Sequence, residues 1–270
     1  MSRPTWAPDN VPLDKPSPAR MYDYFLGGYH NFEIDRKAAD QATSIYPDFP
    51  LVMRVNRAFL RRAVRYLAGQ GIGQFLDIGS GIPTVGNVHE VARQANPAAR
   101  IVYVDSDPIA VAHSRAILGD SPYAAIVQAD ARQVAEALDH PEARRLLDLS
   151  KPLAVLLVFV LHFITDDGEA NRVVRELRDA VPSGSYFVIS HGTYEGLPDE
   201  ITEPLRRLYS NTTDPVKPRL HADIARFFEG LELVEPGLVY VPLWRPEGPE
   251  DLFVDEPERC ISLAGVGRKP

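Results

Sequence analysis

A short apolar segment that ends on an acid and runs into two closely spaced glycines does most to constrain the fold. It spans residues 75–81 and reads Phe-Leu-Asp-Ile-Gly-Ser-Gly. Two later apolar segments also end on an acid, at Asp105 and Asp130. Because the carboxyl ends of parallel strands meet at one edge, where open α/β sheets bind ligands, the three carboxylates are expected to surround one site. The pattern therefore predicts an α/β fold with an acidic ligand-binding edge.

The chemistry of this edge indicates which ligand it binds. Ionised carboxylates only accept hydrogen bonds, so the ligand should be rich in hydroxyl and amino donors, as a nucleoside is. The dinucleotide fingerprint G-x-G-x-x-G has its third glycine three residues after the second, whereas the next glycine after Gly81 is Gly86. Asp77 would repel a pyrophosphate and attract an ammonium or sulfonium group. These features predict a site for S-adenosylmethionine.

The motifs around this site resemble those of class I S-adenosylmethionine-dependent methyltransferases. Asp77-x-Gly79-x-Gly81, with Asp105 at the end of the next strand, carries the general resemblance. A narrower resemblance is to a bacterial family of S-adenosyl methyltransferases formerly catalogued as a domain of unknown function. It covers nearly the whole chain and rests on residues 19–28, 31–32, 77–84, 103–105, 161–163 and 267–270. Pro83 stands where the general class I pattern commonly has a third glycine, and the narrower family shares this proline.

The resemblance implies a Rossmann-like class I methyltransferase fold. This fold has a seven-stranded, mostly parallel sheet with helices on both faces and a last strand inserted antiparallel beside the fifth. The alternation of apolar strands and amphipathic helices agrees with it over residues 71–270. Residues 1–70 predict a proline-spaced tail followed by a helical N-terminal cap. Residues 192–218 interrupt the alternation, and we expect them to form an insertion on the substrate side.

The first strand and its loop supply residues with separate expected roles. The backbone N–H groups of Gly79, Ser80 and Gly81 should cradle the amino-acid end of the cofactor. Asp77 should hold the ammonium group of the cofactor. A plain strand-to-helix turn at the glycines and a helix-capping role for Asp77 are the structural alternatives. Asp105 should bind both ribose hydroxyls, because its two oxygens can accept both hydrogen bonds at once.

The ends of the second and third strands complete the predicted nucleoside site. Asp107 precedes a proline at the expected start of a helix, so we assign it to helix capping and leave Asp105 and Ser106 for the ligand. Asp130 and the backbone of Ala131 should reach the adenine amino group. The alternative for Asp130 is that it only caps the next helix.

The resemblance implies further residues of the cofactor site. Val158 and Phe159 should line its floor after the fourth strand. Tyr24, Gly28 and Asn31 belong to a segment that should form a lid, where an aromatic ring can attract the sulfonium. Packing within a small cap would explain the same residues without a ligand.

Three residues are candidates for a catalytic role: His162, His191 and Tyr24. A histidine inside an apolar run is nevertheless more often a hydrogen-bonded core residue. Because a sulfonium is an activated leaving group, alignment of acceptor and methyl group can suffice, and a base is needed only for an acceptor of high pKa. The seven histidines are scattered along the chain, so no metal site is predicted.

The expected function is transfer of a methyl group to a small organic acceptor. A cofactor-binding protein without catalysis and a nicotinamide-dependent oxidoreductase are the alternatives. The net charge of −8 does not favour nucleic acid as a partner, although four arginines at helical spacing between residues 54 and 65 form either a solvated face or a basic stripe. The longest apolar run, residues 153–164, is too short to span a membrane, and the N-terminus does not resemble a secretory signal. We therefore expect a cytoplasmic enzyme with no membrane partner.

Overall fold

The protein is built around one large β-sheet, seen here in a computed structural model that describes residues 11–83, 86–248 and 251–270. Within these residues the sheet has eight strands. They are β1 (Gln74–Ile78), β2 (Arg100–Asp105), β3 (Ala124–Gln128), β4 (Ala154–Val158), β5 (Tyr186–Gly192), β6 (Glu232–Leu233), β7 (Val239–Tyr240) and β8 (Ser262–Arg268). Their order across the sheet is β3-β2-β1-β4-β5-β8-β6, and β7 also pairs with β8.

The strand directions are those predicted for a class I methyltransferase. β1 to β5 run parallel, and β8 lies antiparallel beside β5. The predicted Rossmann-like fold is therefore confirmed. The expected sixth strand consists of two two-residue strands, β6 and β7, which both pair with β8. A turn separates them, in which the N–H of Gly237 donates to the carbonyl of Val234 at 2.8 Å.

Helices cover both faces of the sheet. The helices after β1 are α4 (Val88–Ala95), α5 (Pro108–Leu118), α6 (Val134–Asp139), α7 (Pro141–Leu146), α8 (Asp167–Ala180), α9 (Asp199–Ser210) and α10 (His221–Ala225). Consecutive side chains of a strand point to opposite faces, and accordingly Phe75 belongs to one buried apolar cluster and Leu76 to another. None of the helices in the described ranges is long and apolar enough to cross a bilayer.

Three helices precede the sheet and form the predicted cap: α1 (Pro18–Phe25), α2 (Glu33–Ile45) and α3 (Phe49–Gly69). A buried ion pair joins the first two, with Arg20 Nε 2.8 Å from Asp35 Oδ2 and both side chains at most 1% exposed. α3 packs on the body of the protein, where the fully buried Phe59 ring lies edge-on to Trp244 at 5.4 Å. The first ten residues of the predicted tail lie outside the described residues.

Candidate cofactor and acceptor site

A cavity of about 400 Å³ lies at the carboxyl ends of the strands, between the sheet and the cap. The strand ends form its floor, with Asp77 after β1, Asp105 at the end of β2 and Phe159 after β4. The opposite wall comes from α1, α3 and residues of the 192–218 segment. Of the predicted site residues, it is lined by Asp77, Gly79, Ser80, Gly81, Asp105, Ser106, Asp130, Ala131, Val158, Phe159 and His162.

The loop after β1 requires glycine at its first position. Gly79 has a φ of +69°, and a Cβ on it would lie 2.4 Å from Val160 Cγ2, so both conformation and space exclude a side chain. The N–H groups of Gly79 and Ser80 both donate to the carbonyl of Val104, at 2.8 and 3.2 Å. The expectation that these two N–H groups face the cofactor is therefore wrong. These two hydrogen bonds instead continue the contact between β1 and β2 past the end of β1.

Asp105 is held at the cavity by backbone donors. Its Oδ2 accepts the N–H of Gly81 at 2.7 Å, and its Oδ1 accepts the N–H of Asp107 at 2.8 Å. The N–H of Gly81 therefore also contacts a protein carboxylate in this structure. Burial raises the pKa of Asp105 to about 6, against the lowering effect of the two backbone hydrogen bonds. Each carboxylate oxygen can accept a second hydrogen bond, so ribose hydroxyls can still be bound.

Asp77 lies deeper, with 4% of its surface exposed, and no described residue donates a hydrogen bond to its carboxyl group. Burial raises its pKa to about 7, and nearby Asp105 raises it further, while Arg57 on α3 lowers it. A buried carboxyl group without a hydrogen-bond donor is costly. A cationic ligand in the cavity would stabilise its ionised form. Asp77 caps none of the described helices, which rules out the capping alternative within that part of the chain.

Asp107, two residues after the end of β2, has the capping role that the sequence predicts, whereas the ligand role of Asp105 stays a prediction. Asp107 caps α5, because its Oδ1 accepts the N–H groups of Ile109 at 2.7 Å and Ala110 at 3.4 Å. Its other oxygen accepts the Ser17 hydroxyl at 3.3 Å, which joins the segment before α1 to the cavity edge. Ser106 stands between the two acids, is exposed and lines the cavity.

Asp130 is engaged by a neighbour that the sequence reading overlooked. Arg132 forms a bidentate ion pair with it, with Nε 2.8 Å from Oδ1 and Nη2 2.5 Å from Oδ2. This pairing lowers the pKa of Asp130. α6 begins at Val134 with Gln133 at its N-cap, so Asp130 does not cap that helix. Asp130 and Ala131 both line the cavity, where an adenine contact stays a prediction.

Phe159 has a strained backbone at the floor of the site. Its φ is +55°, a left-handed conformation that is unfavourable for a bulky residue. Its N–H donates to the carbonyl and the hydroxyl of Ser190, both at 3.2 Å. The Ser190 hydroxyl in turn donates to Asn56 Oδ1 at 2.7 Å. β5 and α3 thus hold the Phe159 turn in place, and such strain often occurs at functional sites.

The predicted lid residues Tyr24, Gly28 and Asn31 do not line the cavity. Tyr24 lies on the outer face of α1, where its hydroxyl donates to Asp40 at 3.1 Å. Asn31 donates to Asp23 Oδ2 at 2.8 Å and to the carbonyl of Gly28 at 3.0 Å. The assignment of these three residues to direct cofactor contact is corrected accordingly. Gly28 and Asn31 support Asp23, which does line the cavity.

The two histidine candidates have different surroundings. His162 lies on the cavity wall. His191 is fully buried behind it, where Arg219 Nη1 donates to its Nε2 at 3.0 Å and its Nδ1 bonds to the carbonyl of Gly192 at 2.8 Å. Burial lowers the pKa of His191 to about 3, so this ring is a neutral core residue. His191 and Tyr24 are therefore removed from the catalytic candidates.

Sequence reasoning missed several cavity residues from the cap and the insertion. Tyr22 donates to the carbonyl of Met53 at 3.2 Å and accepts from Asn56 Nδ2 at 3.2 Å, and all three residues line the cavity. Helical spacing could have identified Tyr22, because Pro18, Tyr22 and Phe25 share one face of α1. Arg57 was noticed only as one of four spaced arginines. Tyr194 and Tyr209, from the 192–218 segment, carried no recognisable motif.

The described lining suits a cationic nucleoside such as S-adenosylmethionine. It contains six aspartates and two arginines, which favours a positively charged ligand. The hydroxyl of Ser80 is enclosed at the loop and has no hydrogen-bond partner among the described residues. No group of three metal-binding side chains comes together in the described part of the chain.

Solved structures resemble the whole chain. A candidate methyltransferase from Thermobifida fusca YX is 44% identical, with a TM-score of 0.91 over 98% of this chain and 99% of that one. A DUF574 family protein from Streptomyces avermitilis MA-4680 is 41% identical, with a TM-score of 0.88 over 95% and 98%. The N-methyltransferase NodS from Bradyrhizobium japonicum WM9, in complex with S-adenosyl-L-homocysteine, shares the fold at 14% identity, with a TM-score of 0.51 over 93% and 99%. No curated protein matches the sequence.

The family comparison agrees with the fold and with the acidic cavity. The model of one family, described as S-adenosyl methyltransferase, matches residues 4–270. The match spans the cap as well as the sheet, so both are features of the family. This protein therefore belongs to the S-adenosyl methyltransferase family and is an S-adenosylmethionine-dependent methyltransferase.

Proposed function

We propose that this enzyme methylates a small organic molecule, which binds in the half of the cavity between α1, α3 and the 192–218 segment. The cavity volume of about 400 Å³ carries the proposal: it lies near the lower end of the range for small-ligand sites, about 300–1,000 Å³, and it must hold the cofactor as well, so the room for an acceptor is small. Phe25, Met53 and Tyr209 line this half, which we call the acceptor half. We call the half at the ends of β1 to β4 the cofactor half.

The cofactor half has an acceptor for each polar part of S-adenosylmethionine. We assign Asp105 to the ribose hydroxyls, Asp77 to the ammonium group, and Asp130 with Ala131 to the adenine amino group. The place of all four residues in the cavity lining supports this assignment. When bound, the cofactor supplies an electrophilic methyl group next to the acceptor half.

The protein contributes positioning and the exclusion of water. Asn56 links Tyr22 of the cap to Ser190 of β5, and Ser190 fixes the Phe159 turn. These contacts hold the two halves in one arrangement, which lowers the entropic cost of aligning two reactants. The same proposal includes a division of the chain into a tail and cap, residues 1–70, and a cofactor-binding domain, residues 71–270. It also includes a cytoplasmic location and no nucleic-acid or membrane partner.

Two measurements test the proposal. Calorimetric titration with S-adenosyl-L-homocysteine should give saturable binding to the wild type, and Asp105→Asn should weaken it. Incubation with methyl-labelled cofactor and pooled small metabolites should then give a labelled product of low mass. Label transferred only to protein or nucleic acid would contradict a small acceptor. Binding without transfer to any acceptor would favour a non-catalytic role.

A further inference from the structure

The imidazole of His162 is unusual in having no hydrogen bond from either ring nitrogen to a described residue. Its Nδ1 is completely enclosed, and Nε2 is the nitrogen left to face the cavity. The residue as a whole is 7% exposed. Buried polar side chains normally have partners. A ligand in the cavity cannot reach the enclosed Nδ1, so a partner in the cavity is expected for Nε2.

Aromatic contacts fix the orientation of the His162 ring. The rings of Phe163 and Phe159 both lie edge-on to it, with centroids 4.4 and 5.3 Å away. Burial holds the pKa of His162 well below its usual value, and His191 and Arg219 behind the ring lower it further. Its ring is consequently neutral near pH 7, and in the tautomer protonated at Nδ1 its Nε2 accepts a hydrogen bond.

The remaining wall of the acceptor half is aromatic. Phe49 lies between Phe25 and Tyr209, with ring centroids 5.6 and 6.0 Å away. The hydroxyls of Tyr194 and Tyr209 make no hydrogen bond to a described residue, and burial raises the pKa of both phenols. Both phenols stay neutral. Flat apolar ligands pack well against such walls.

The charged groups of the lining are engaged elsewhere. Asp23 accepts the N–H of His30 at 2.9 Å and the Asn31 amide at 2.8 Å. Arg57 on α3 lowers the pKa of Asp77, and Asp214 raises the pKa of Asp105, so both of these charges lie near the carboxylates of the cofactor half. The polar groups offered to an acceptor are therefore neutral, and the acidic lining as a whole repels an anionic acceptor.

We propose that the acceptor is an uncharged aromatic molecule whose hydroxyl group donates a hydrogen bond to His162 Nε2. This inference rests on the proposed function and names its substrate class. In the reaction, the hydroxyl oxygen forms a bond to the methyl carbon as the carbon–sulfur bond breaks, and the hydroxyl proton passes to His162. Because the pKa of His162 lies well below its usual value, the imidazolium passes this proton on to water rather than keeping it. The products are the methyl ether, S-adenosyl-L-homocysteine and one proton.

Three matched probes test the substrate class: 2-naphthol, 2-naphthoic acid and 2-naphthylmethylamine. Each is titrated calorimetrically into the full-length protein saturated with S-adenosyl-L-homocysteine, so the readout does not depend on turnover. The three share one ring system and differ in charge near pH 7. We expect 2-naphthol to bind at least about tenfold more tightly than the other two, a difference of about 1.4 kcal/mol.

Variants at position 162 test the hydrogen bond. His162→Leu should weaken 2-naphthol binding by about tenfold, whereas His162→Gln, which keeps an acceptor oxygen, should restore part of it. His221→Leu is the matched control, because His221 is exposed and does not line the cavity. Undiminished binding of S-adenosyl-L-homocysteine in each variant shows that the cofactor half is intact.

The outcomes separate this inference from the proposed function. If the wild type fails to bind S-adenosyl-L-homocysteine, both are overturned. If it binds, but the acid or the amine binds as well as 2-naphthol, or none of the probes binds, the substrate class is overturned alone. Equal affinity of the wild type and His162→Leu for 2-naphthol would overturn the role of His162. Because binding is measured directly, a folded variant with normal cofactor affinity always gives a decisive result.

Discussion

At the scale of single residues, the carboxyl groups of Asp77 and Asp105 couple the site to pH. Burial raises their pKa to about 7 and about 6, against an ordinary value of about 3.9. Between about pH 4 and these values the folded protein binds more protons than the unfolded chain, so the free energy of unfolding falls as the pH rises. A ligand that favours the ionised carboxylates offsets this loss.

We predict that affinity for S-adenosyl-L-homocysteine increases as the pH rises from about 5 to about 8. The ammonium and ribose groups of the ligand favour the ionised forms of Asp77 and Asp105, so binding releases protons below about pH 7. Calorimetry in two buffers of different ionisation enthalpy measures that release. In Asp77→Asn the dependence above about pH 6 should disappear. A wild-type affinity that is constant over this range would contradict the predicted role of Asp77.

Asp105, at the end of β2, and Asp107, two residues later, give a matched pair of substitutions. Asp105→Asn should weaken cofactor binding by at least about tenfold, because a hydrogen bond to a charged group contributes about 1.5–3 kcal/mol. Asp107→Ala should lower the free energy of unfolding by about 1 kcal/mol through loss of the α5 cap. Calorimetry and urea unfolding measure the two effects. A large binding defect in Asp107→Ala with unchanged stability would reverse the two roles.

At the scale of the element, the turn after β1 gives a second matched pair. Gly79 and Gly81 both have a φ of +69°, but only at Gly79 would a Cβ meet another atom within 4 Å. Gly81→Ala should therefore cost about 1–2 kcal/mol for the left-handed backbone alone. Gly79→Ala should cost about 1–3 kcal/mol more, for the overlap with Val160. Urea unfolding measures both, and equal losses would show that the Val160 contact is unimportant.

The elements of the sheet could be predicted because their signals are local. The β1 strand has five buried residues in a row, and an acid and a glycine stand at its end. Both its burial and its end could therefore be predicted from the sequence. Strands β6 and β7 were harder, because two residues each carry no periodicity and the pairing with β8 is distant in sequence. Residues 19–26 predict a short helix that stops at Gly27, and α1 is within one residue of those bounds.

The site could be predicted only where a side chain follows a strand. Asp105 and Phe159 lie in the cavity because the ends of parallel strands meet at one edge. Tyr24 was misplaced because a motif match does not say which face of α1 is turned inward. Tyr209 could not be identified at all, since its position depends on packing against Phe49, which is far away in the sequence.

At the scale of the whole molecule, the segment before α1 and the 210–218 loop close the cavity together. The N–H of Thr213 donates to the carbonyl of Pro16 at 2.9 Å, and the N–H of Lys217 donates to that of His162 at 2.8 Å. The loop lines the cavity through residues that include Thr213 and Val216, and the segment leads directly into Pro18 and Ala19 of α1, which also line it. A bound ligand therefore stabilises contacts between parts of the chain that lie far apart in sequence.

We predict that S-adenosyl-L-homocysteine slows amide hydrogen exchange in residues 11–20 and 210–218. Local opening of these segments exposes the cavity, and a ligand that binds only the closed form suppresses that opening. Mass spectrometry of exchanged peptides measures the effect, with α8 on the body of the protein as the control. Protection confined to the strands of the sheet would show that the cap does not close over the ligand.

The most direct measurement is a crystal structure of the protein with S-adenosyl-L-homocysteine. The ribose hydroxyls should lie within hydrogen-bonding distance of Asp105, with the ammonium group nearest to Asp77 and the sulfur facing the aromatic wall of Phe25 and Tyr209. A ligand bound elsewhere, or one whose ribose lies away from the end of β2, would contradict the account.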